Sequence, residues 1–186
     1  MLKKQIFRNF TFVGASGTGK STLLHYIQEA YGDKFEVKEL SAREFLPKEG
    51  SYDQTVTSEL QVQIAYHRTL NYFSDLLEVD KRYVYSRSTF CNIGYLKTLK
   101  TGTEWLIPTL EEEIKLIAPY FTFLYLPIEF DMDPKDLIRG TNKEVQRETD
   151  YWIQEYLRKY ANICDIKVIS GSIEARCSLL DTILKW

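Results

Sequence analysis

Residues 14 to 21 read Gly14-Ala15-Ser16-Gly17-Thr18-Gly19-Lys20-Ser21 and meet every fixed position of the spacing G-x-x-x-x-G-K-[ST]. Glycines at these places let backbone N–H groups turn inward around an anion, and a helix starting at the last glycine presents its positive dipole end to the same charge. Lys20 adds a mobile positive charge. The Ser21 hydroxyl is an oxygen donor for a Mg²⁺ ion bridging β- and γ-phosphate oxygens, and Thr22 completes the nucleotide-binding set. The loop is therefore expected to hold a nucleoside triphosphate, ATP with Mg²⁺.

Such a loop needs a strand to deliver it and a helix to follow. Ile6 to Val13 is rich in β-formers and ends at Gly14, which reads as a buried strand. From Gly19 to about Tyr31, Leu23, Leu24, Ile27 and Ala30 recur at helical spacing until Gly32-Asp33 stops them. Phe35 to Lys38, Tyr83 to Tyr85, Phe121 to Leu126 and Ile166 to Ile169 read as further strands. Thr55 to Val79 predicts one long helix through Val56, Leu60, Ile64, Tyr66, His67, Leu70, Phe73 and Leu76-Leu77. Shorter helices are expected over Thr89 to Lys100 and Thr109 to Ile117, and a charged surface helix over Asn142 to Tyr160. A last helix runs from Ser172, its N-cap, to Lys185, with Ile173, Leu179, Leu180 and Ile183 inward. Strands separated by crossover helices define an α/β fold with a five-stranded parallel sheet.

Further polar clusters sit at the joints between these elements. Glu39-Leu40-Ser41-Ala42-Arg43 follows the second strand, Ser86-Arg87-Ser88 the third, and Gly171-Ser172-Ile173-Glu174-Ala175-Arg176 the fifth. Asp136-Leu137-Ile138-Arg139 and Arg147-Glu148-Thr149-Asp150 flank the start of the charged helix. A carboxylate at the end of a strand beside the loop strand lies where α/β folds bind ligands, and arginines there suit phosphate. With the P-loop, these pieces resemble, over nearly the whole chain, a P-loop kinase family. That family includes the ribosylnicotinamide kinase domain of bifunctional nicotinamide-nucleotide adenylyltransferases and related phage and bacterial nucleoside and nucleotide kinases.

The resemblance implies a P-loop NTPase fold with a helical lid over about residues 129–150 and a single domain spanning 1–186. It implies that Glu39 is a general base or orients the acceptor hydroxyl, that Arg43 and Arg87 bind substrate or phosphate, and that Arg139 and Arg147 reach the γ-phosphate from the lid. Gly171 and Ser172 would lie beside the adenine. Arg87 follows a position where the family carries Asp and this chain carries Ser86, a hydroxyl that cannot replace a carboxylate's charge near Mg²⁺. For the acceptor base the long helix offers Gln63, with Tyr66 and His67, and the preceding segment offers Tyr52 and Asp53; aromatics at helical spacing are equally core residues. The alternative for the lid arginines is a solvated, ion-paired helix face.

Length and composition bound the rest. With 186 residues, 44% hydrophobic, 27% charged and a net charge of −2, the chain suits one soluble domain and presents no global basic field. A nucleic-acid partner is thus not favoured, although Arg82, Lys97 and Lys100 leave a local basic groove open. Cys91, Cys164 and Cys177 show no CxxC spacing, and His25 and His67 lack metal-ligand spacing, so reduced buried thiols and structural histidines are expected. No signal peptide or membrane span is evident, which points to a cytoplasmic protein without membrane contact. The expected function is an ATP-dependent kinase acting on a nucleoside-like small molecule. The alternatives left open are a hydroxymethylpyrimidine nucleotide or DNA base as acceptor, and a P-loop ATPase acting as a switch. Exposed aromatics on the long helix make a homodimer a further expectation.

Overall fold

Strand β1 (Asn9–Val13) is buried along its whole length between two parallel neighbours, as its run of β-forming residues requires. The computed structural model describes residues 8–40, 45, 57–78, 80–130 and 142–185. Within them the chain runs β1, α1 (Lys20–Tyr31), β2 (Glu36–Lys38), α2 (Ser58–Leu76), β3 (Tyr83–Tyr85), α3 (Thr89–Leu99), α4 (Ile107–Ile117), β4 (Phe121–Tyr125), α5 (Lys143–Lys159), β5 (Asp165–Val168) and α6 (Ile173–Leu184). The described strands form one all-parallel sheet of order β2-β3-β1-β4-β5.

Alternation along the strands sends Tyr83, Tyr85, Phe121, Phe123 and Tyr125 to one face, where Tyr72, Phe90, Ile93, Ile114 and Ile153 of α2, α3, α4 and α5 cover them. Tyr72 meets Tyr85 edge-on with centroids 4.7 Å apart, and Phe90 meets Phe123 at 5.2 Å. Phe10, Phe12, Val84 and Leu124 face the other way, onto Leu23 and Ile27 of α1 and Leu180 and Leu184 of α6. The sheet thus carries helices on both faces, and every strand delivers its C-terminal end to the same edge as the P-loop.

Three expectations are corrected. Of the apolar positions expected along the long helix, Leu60 and Ile64 are buried, but Tyr66, Leu70, Phe73 and Leu77 are exposed, and Gln61, Ala65, Arg68, Tyr72 and Asp75 are buried in their place. Leu179 is likewise exposed, because α6 turns Arg176, Leu180 and Leu184 inward instead. The fifth strand begins one residue early, at Asp165, where pairing opposite Thr122 starts its register with β4. Ser172 caps α6 as expected, its hydroxyl accepting from the Ala175 N–H at 3.3 Å.

Candidate functional site

The glycine loop joins β1 to α1 at the carboxyl edge of the sheet. Gly14 has φ +151° and packs so closely on β4 that a Cβ would lie 2.7 Å from the Leu126 carbonyl oxygen; Gly19 caps α1 at φ +87°. Neither place admits an L side chain without strain. Lys20 is buried and curls over the loop, donating to the carbonyls of Gly14 (2.9 Å) and Ala15 and to Thr18 Oγ1 (2.9 Å). Thr18 Oγ1 donates in turn to the Ala15 carbonyl at 3.1 Å. Gln146 of α5 crosses to the loop, its amide donating to the Ser16 carbonyl at 2.7 Å.

The strand beside the loop strand is β3, so β2, expected there, lies one strand further out; the Ser86 N–H donates to the Lys38 carbonyl at 3.0 Å and sets the exposed Glu39 next to Ser86 and Arg87. The Arg87 carbonyl is fixed by Thr11 Oγ1 at 2.9 Å and by the Tyr72 hydroxyl. Cys91, in the first turn of α3, lies beneath the loop with its Sγ 3.5 Å from the Gly14 carbonyl oxygen. Burial would raise its thiol pKa, but the charges of Arg87, Lys20 and Arg68, with a backbone hydrogen bond at Ser88, outweigh burial and pull it down to about 7. Lys20 Nζ and Cys91 Sγ thus meet the same Gly14 carbonyl, and Arg68 is held on Asn92, the next residue along α3.

Arg68 of α2 is itself buried, donating to the Leu40 carbonyl at 3.3 Å and to the Asn92 side-chain oxygen. Gln61, two turns earlier on the same helix face, is buried as well. Glu113 of α4 accepts from Thr69 and Thr89, and its burial holds the carboxyl above the usual carboxylate range. On the other side of the loop the Tyr125 hydroxyl donates to buried Asp150, whose pKa is raised by desolvation against the opposing pull of Gln154, Tyr125 and Lys20. A fully buried Arg176 closes the far end: it donates to the Thr18 carbonyl at 2.6 Å and pairs with Glu129, which also accepts the Gly171 N–H at 2.7 Å.

The structure thus brings Gly14 to Thr22, Glu39 and Arg87 to one edge of the sheet. Gly171 and Ser172 sit in the β5–α6 turn, linked to that loop through Arg176. Gln63 is exposed on α2 and its neighbour Gln61 faces inward; Arg147 is exposed on α5 and its neighbour Gln146 reaches the loop. Arg43, Arg139, Tyr52 and Asp53 lie outside the described residues, as does most of the expected lid segment. Arg82 stacks on Phe35 at 4.7 Å and Lys97 on Trp152 at 5.2 Å, so two of the cations counted toward a nucleic-acid groove are engaged within the chain. Gln61, Arg68, Asn92 and Gln146 were not singled out from the sequence, and Asp150 and Arg176 stood there only as members of the segments 147–150 and 171–176. For Gln61 and Arg68 the available signal was their spacing with Tyr72 and Asp75 on one helical face.

Among the described residues no group of three or more His, Cys, Asp and Glu is gathered to hold a metal. The oxygen donors at hand are the Ser21 hydroxyl and the Ser86 hydroxyl, which is buried without a hydrogen-bond partner. Magnesium keeps several waters and takes few protein oxygens beside those of phosphate, so this set fits a phosphate-borne Mg²⁺ and not an ion held by the protein alone. No described helix is long and apolar enough to cross a membrane.

An all-parallel sheet of this order, with the glycine loop between β1 and α1, is a P-loop α/β fold of the nucleoside- and nucleotide-kinase kind. Residues 9–176 match the model of the family described as AAA domain, and the chain belongs to that family. No curated protein matches it. Among solved structures it is similar to deoxyadenosine kinase from M. mycoides, with TM-score 0.70 and 14% identity over 95% of this chain and 98% of the other. It is also similar to NadR in complex with NR, with TM-score 0.68 and 15% identity over 98% of this chain but 52% of that one. Thymidylate kinase from Ehrlichia chaffeensis matches with TM-score 0.61 and 14% identity over 95% and 98% of the two chains. At such identities these likenesses establish the shared fold.

Proposed function

We propose that this chain is an ATP-dependent phosphotransferase that moves the γ-phosphoryl group of Mg·ATP to a hydroxyl or phosphate of a nucleoside-like small molecule. The observation that carries this reading is the glycine loop with Lys20 held on it beside Cys91 and the buried Arg68 bonded to the adjoining Asn92. A charge-spread phosphoryl group passing between donor and acceptor is stabilised there by fixed cations, and positioning does most of the catalytic work. Loop amides and Lys20 hold the donor phosphates, and Ser21 ligates the magnesium, which when bound neutralises the β- and γ-oxygens. Glu39 takes or orients the acceptor proton, and Arg87 binds phosphate or acceptor. Arg68 and Asn92, bonded to each other, and Gln61 on the same face of α2 are buried polar groups suited to the edge of a base, while Arg139 and Arg147 supply further positive charge from the lid.

The test measures ADP formation from Mg·ATP with nucleosides, nucleoside monophosphates, ribosylnicotinamide and hydroxymethylpyrimidine DNA. One acceptor should raise turnover well above the water background, and Glu39→Gln should remove most of that rise, a loss of roughly 10²–10⁴-fold for a general base. If no acceptor accelerates turnover and Glu39→Gln leaves a slow ATPase unchanged, the transferase reading fails. Ser86, standing where a metal-side carboxylate is expected, favours in that event an ATP-operated switch.

The protein pairs with a second copy through α2. Between Glu59 and Glu78 the exposed positions of this helix carry no charge, and Tyr66, Leu70, Phe73 and Leu77 form a stripe at coiled-coil spacing. Sedimentation should give a dimer that Leu70→Glu converts to monomer; a monomeric wild type refutes this.

A further inference from the structure

Arg176 ends the Gly171-to-Arg176 segment and, read as part of a capped helix start, would be one more charge on a surface helix. It is instead the bulkiest fully buried side chain among the described residues. A guanidinium out of water is costly unless its donors are met. Here Nη1 donates to the Thr18 carbonyl (2.6 Å), Nε to the Gly171 carbonyl (3.0 Å), and Nη2 to the Pro127 carbonyl (3.3 Å) and to Glu129 Oε2 (2.6 Å). The Phe130 ring covers it, with its centroid 4.6 Å from the guanidinium carbon. One side chain therefore ties together the P-loop, the chain leaving β4 and the turn between β5 and α6.

The contact with Thr18 bears on the chemistry. The peptide joining Thr18 to Gly19 is planar, with its C=O and N–H pointing in opposite directions. Holding the Thr18 carbonyl against the guanidinium turns the Gly19 N–H away from it. The charge on Arg176 also polarises that peptide, making the N–H a stronger donor toward an anion. Packing alone requires a partner for the arginine, which Glu129 supplies; it does not require the carbonyl of the phosphate loop. The β5–α6 turn is held by the same groups, since Glu129 Oε2 accepts the Gly171 N–H while Arg176 takes the Gly171 carbonyl.

We infer that Arg176 is a positioning residue for the donor triphosphate, which sets the Thr18–Gly19 peptide for phosphate binding and locks the loop to the 171–172 turn. The inference rests on the nucleotide-binding reading of the loop. Its test is calorimetric binding of Mg·ATP and of Mg·tripolyphosphate, which has no base, to the wild type and to Arg176→Met, Arg176→Lys and Glu129→Gln, with melting temperatures alongside. Arg176→Met should weaken both ligands by about 10- to 100-fold, since charge-assisted hydrogen bonds orient the loop. Arg176→Lys, which keeps the charge but not the fork, should restore part of the loss. Glu129→Gln removes only the half-exposed partner and should cost about 3- to 10-fold while keeping the fold, so the inference stays testable if Arg176→Met does not fold. In turnover assays the KM for ATP should rise with the KM for the acceptor unchanged.

Arg176→Met and Glu129→Gln proteins that bind both ligands like the wild type overturn the positioning role alone. A loss confined to ATP, with tripolyphosphate unaffected, also overturns it, because the contact would then serve the base. A wild type that binds neither ligand refutes the nucleotide-binding reading and the positioning role with it.

Discussion

The thiol of Cys91 reports on the charge of the site. It is fully buried, and burial alone would push its pKa upward. The positive charges of Arg87, Lys20 and Arg68 instead bring it from 9.0 to about 7. Two units correspond to about 3 kcal/mol of preference for the thiolate, at roughly 1.4 kcal/mol per unit. Difference absorbance near 240 nm between wild type and Cys91→Ala should therefore show a thiolate titrating near pH 7, whereas burial raises Cys164 to about 11. Lys20→Ala should move that midpoint upward, and so should saturating Mg·ATP, whose phosphates offset the charge of Lys20. The folded pKa lies below the unfolded one, so the thiolate's contribution to stability is complete above pH 9 and is lost as the pH falls through 7. The melting temperature of the wild type should accordingly gain on that of Cys91→Ala between pH 7 and 9. A midpoint near 9, or one indifferent to Lys20→Ala, would refute the convergence of charge beside the loop.

Two further outcomes follow from packing and burial. Gly94 sits where α3 crosses α5, and a Cβ there would stand 2.7 Å from Ile153 Cγ1 and 3.0 Å from the Thr149 carbonyl oxygen. Gly94→Ala should cost about 1–3 kcal/mol of stability in urea titration, the usual penalty for overpacking; an unchanged midpoint would show that the two helices separate freely. Glu113 has a folded pKa raised by burial above its ordinary value of 4.5, so its contribution is favourable below that value and is lost as the pH rises through the raised one. Glu113→Gln should therefore gain stability relative to wild type on going from pH 4.5 to pH 8, and parallel melting curves across that range would contradict the assigned cost of its charge.

The P-loop was legible because its requirements are local. Gly14 must pass the Leu126 carbonyl and Gly19 must open a helix at positive φ, and both demands fall on residue types at fixed spacing. The strands were legible for a similar reason, since β-forming runs such as Phe121 to Tyr125, buried on both sides of a parallel sheet, contrast with the charged helices between them. Which face of a helix turns inward was less so. On α2 the stripe of Tyr66, Leu70, Phe73 and Leu77 and the stripe of Gln61, Ala65, Arg68, Tyr72 and Asp75 share the same period, and hydrophobicity favours the first.

The second stripe is buried because partners from elsewhere in the chain satisfy its polar members. Asp75 accepts from the Tyr85 hydroxyl at 2.8 Å, and Arg68 donates to the Leu40 carbonyl and Asn92. The same holds on α5, where Gln146 turns inward to a carbonyl 130 positions away and its charged neighbour Arg147 stays in water. It holds again on α6, where Arg176 is buried by loops 47 to 158 positions distant. Each of these polar side chains enters the interior with such a partner. At the carboxyl edge of this sheet, strand ends and loops leave backbone carbonyls free to accept, so the interior there can hold arginines. The edge that local sequence marks with a glycine loop is thus also where long-range contacts collect buried charge, and both properties suit a site that handles phosphate.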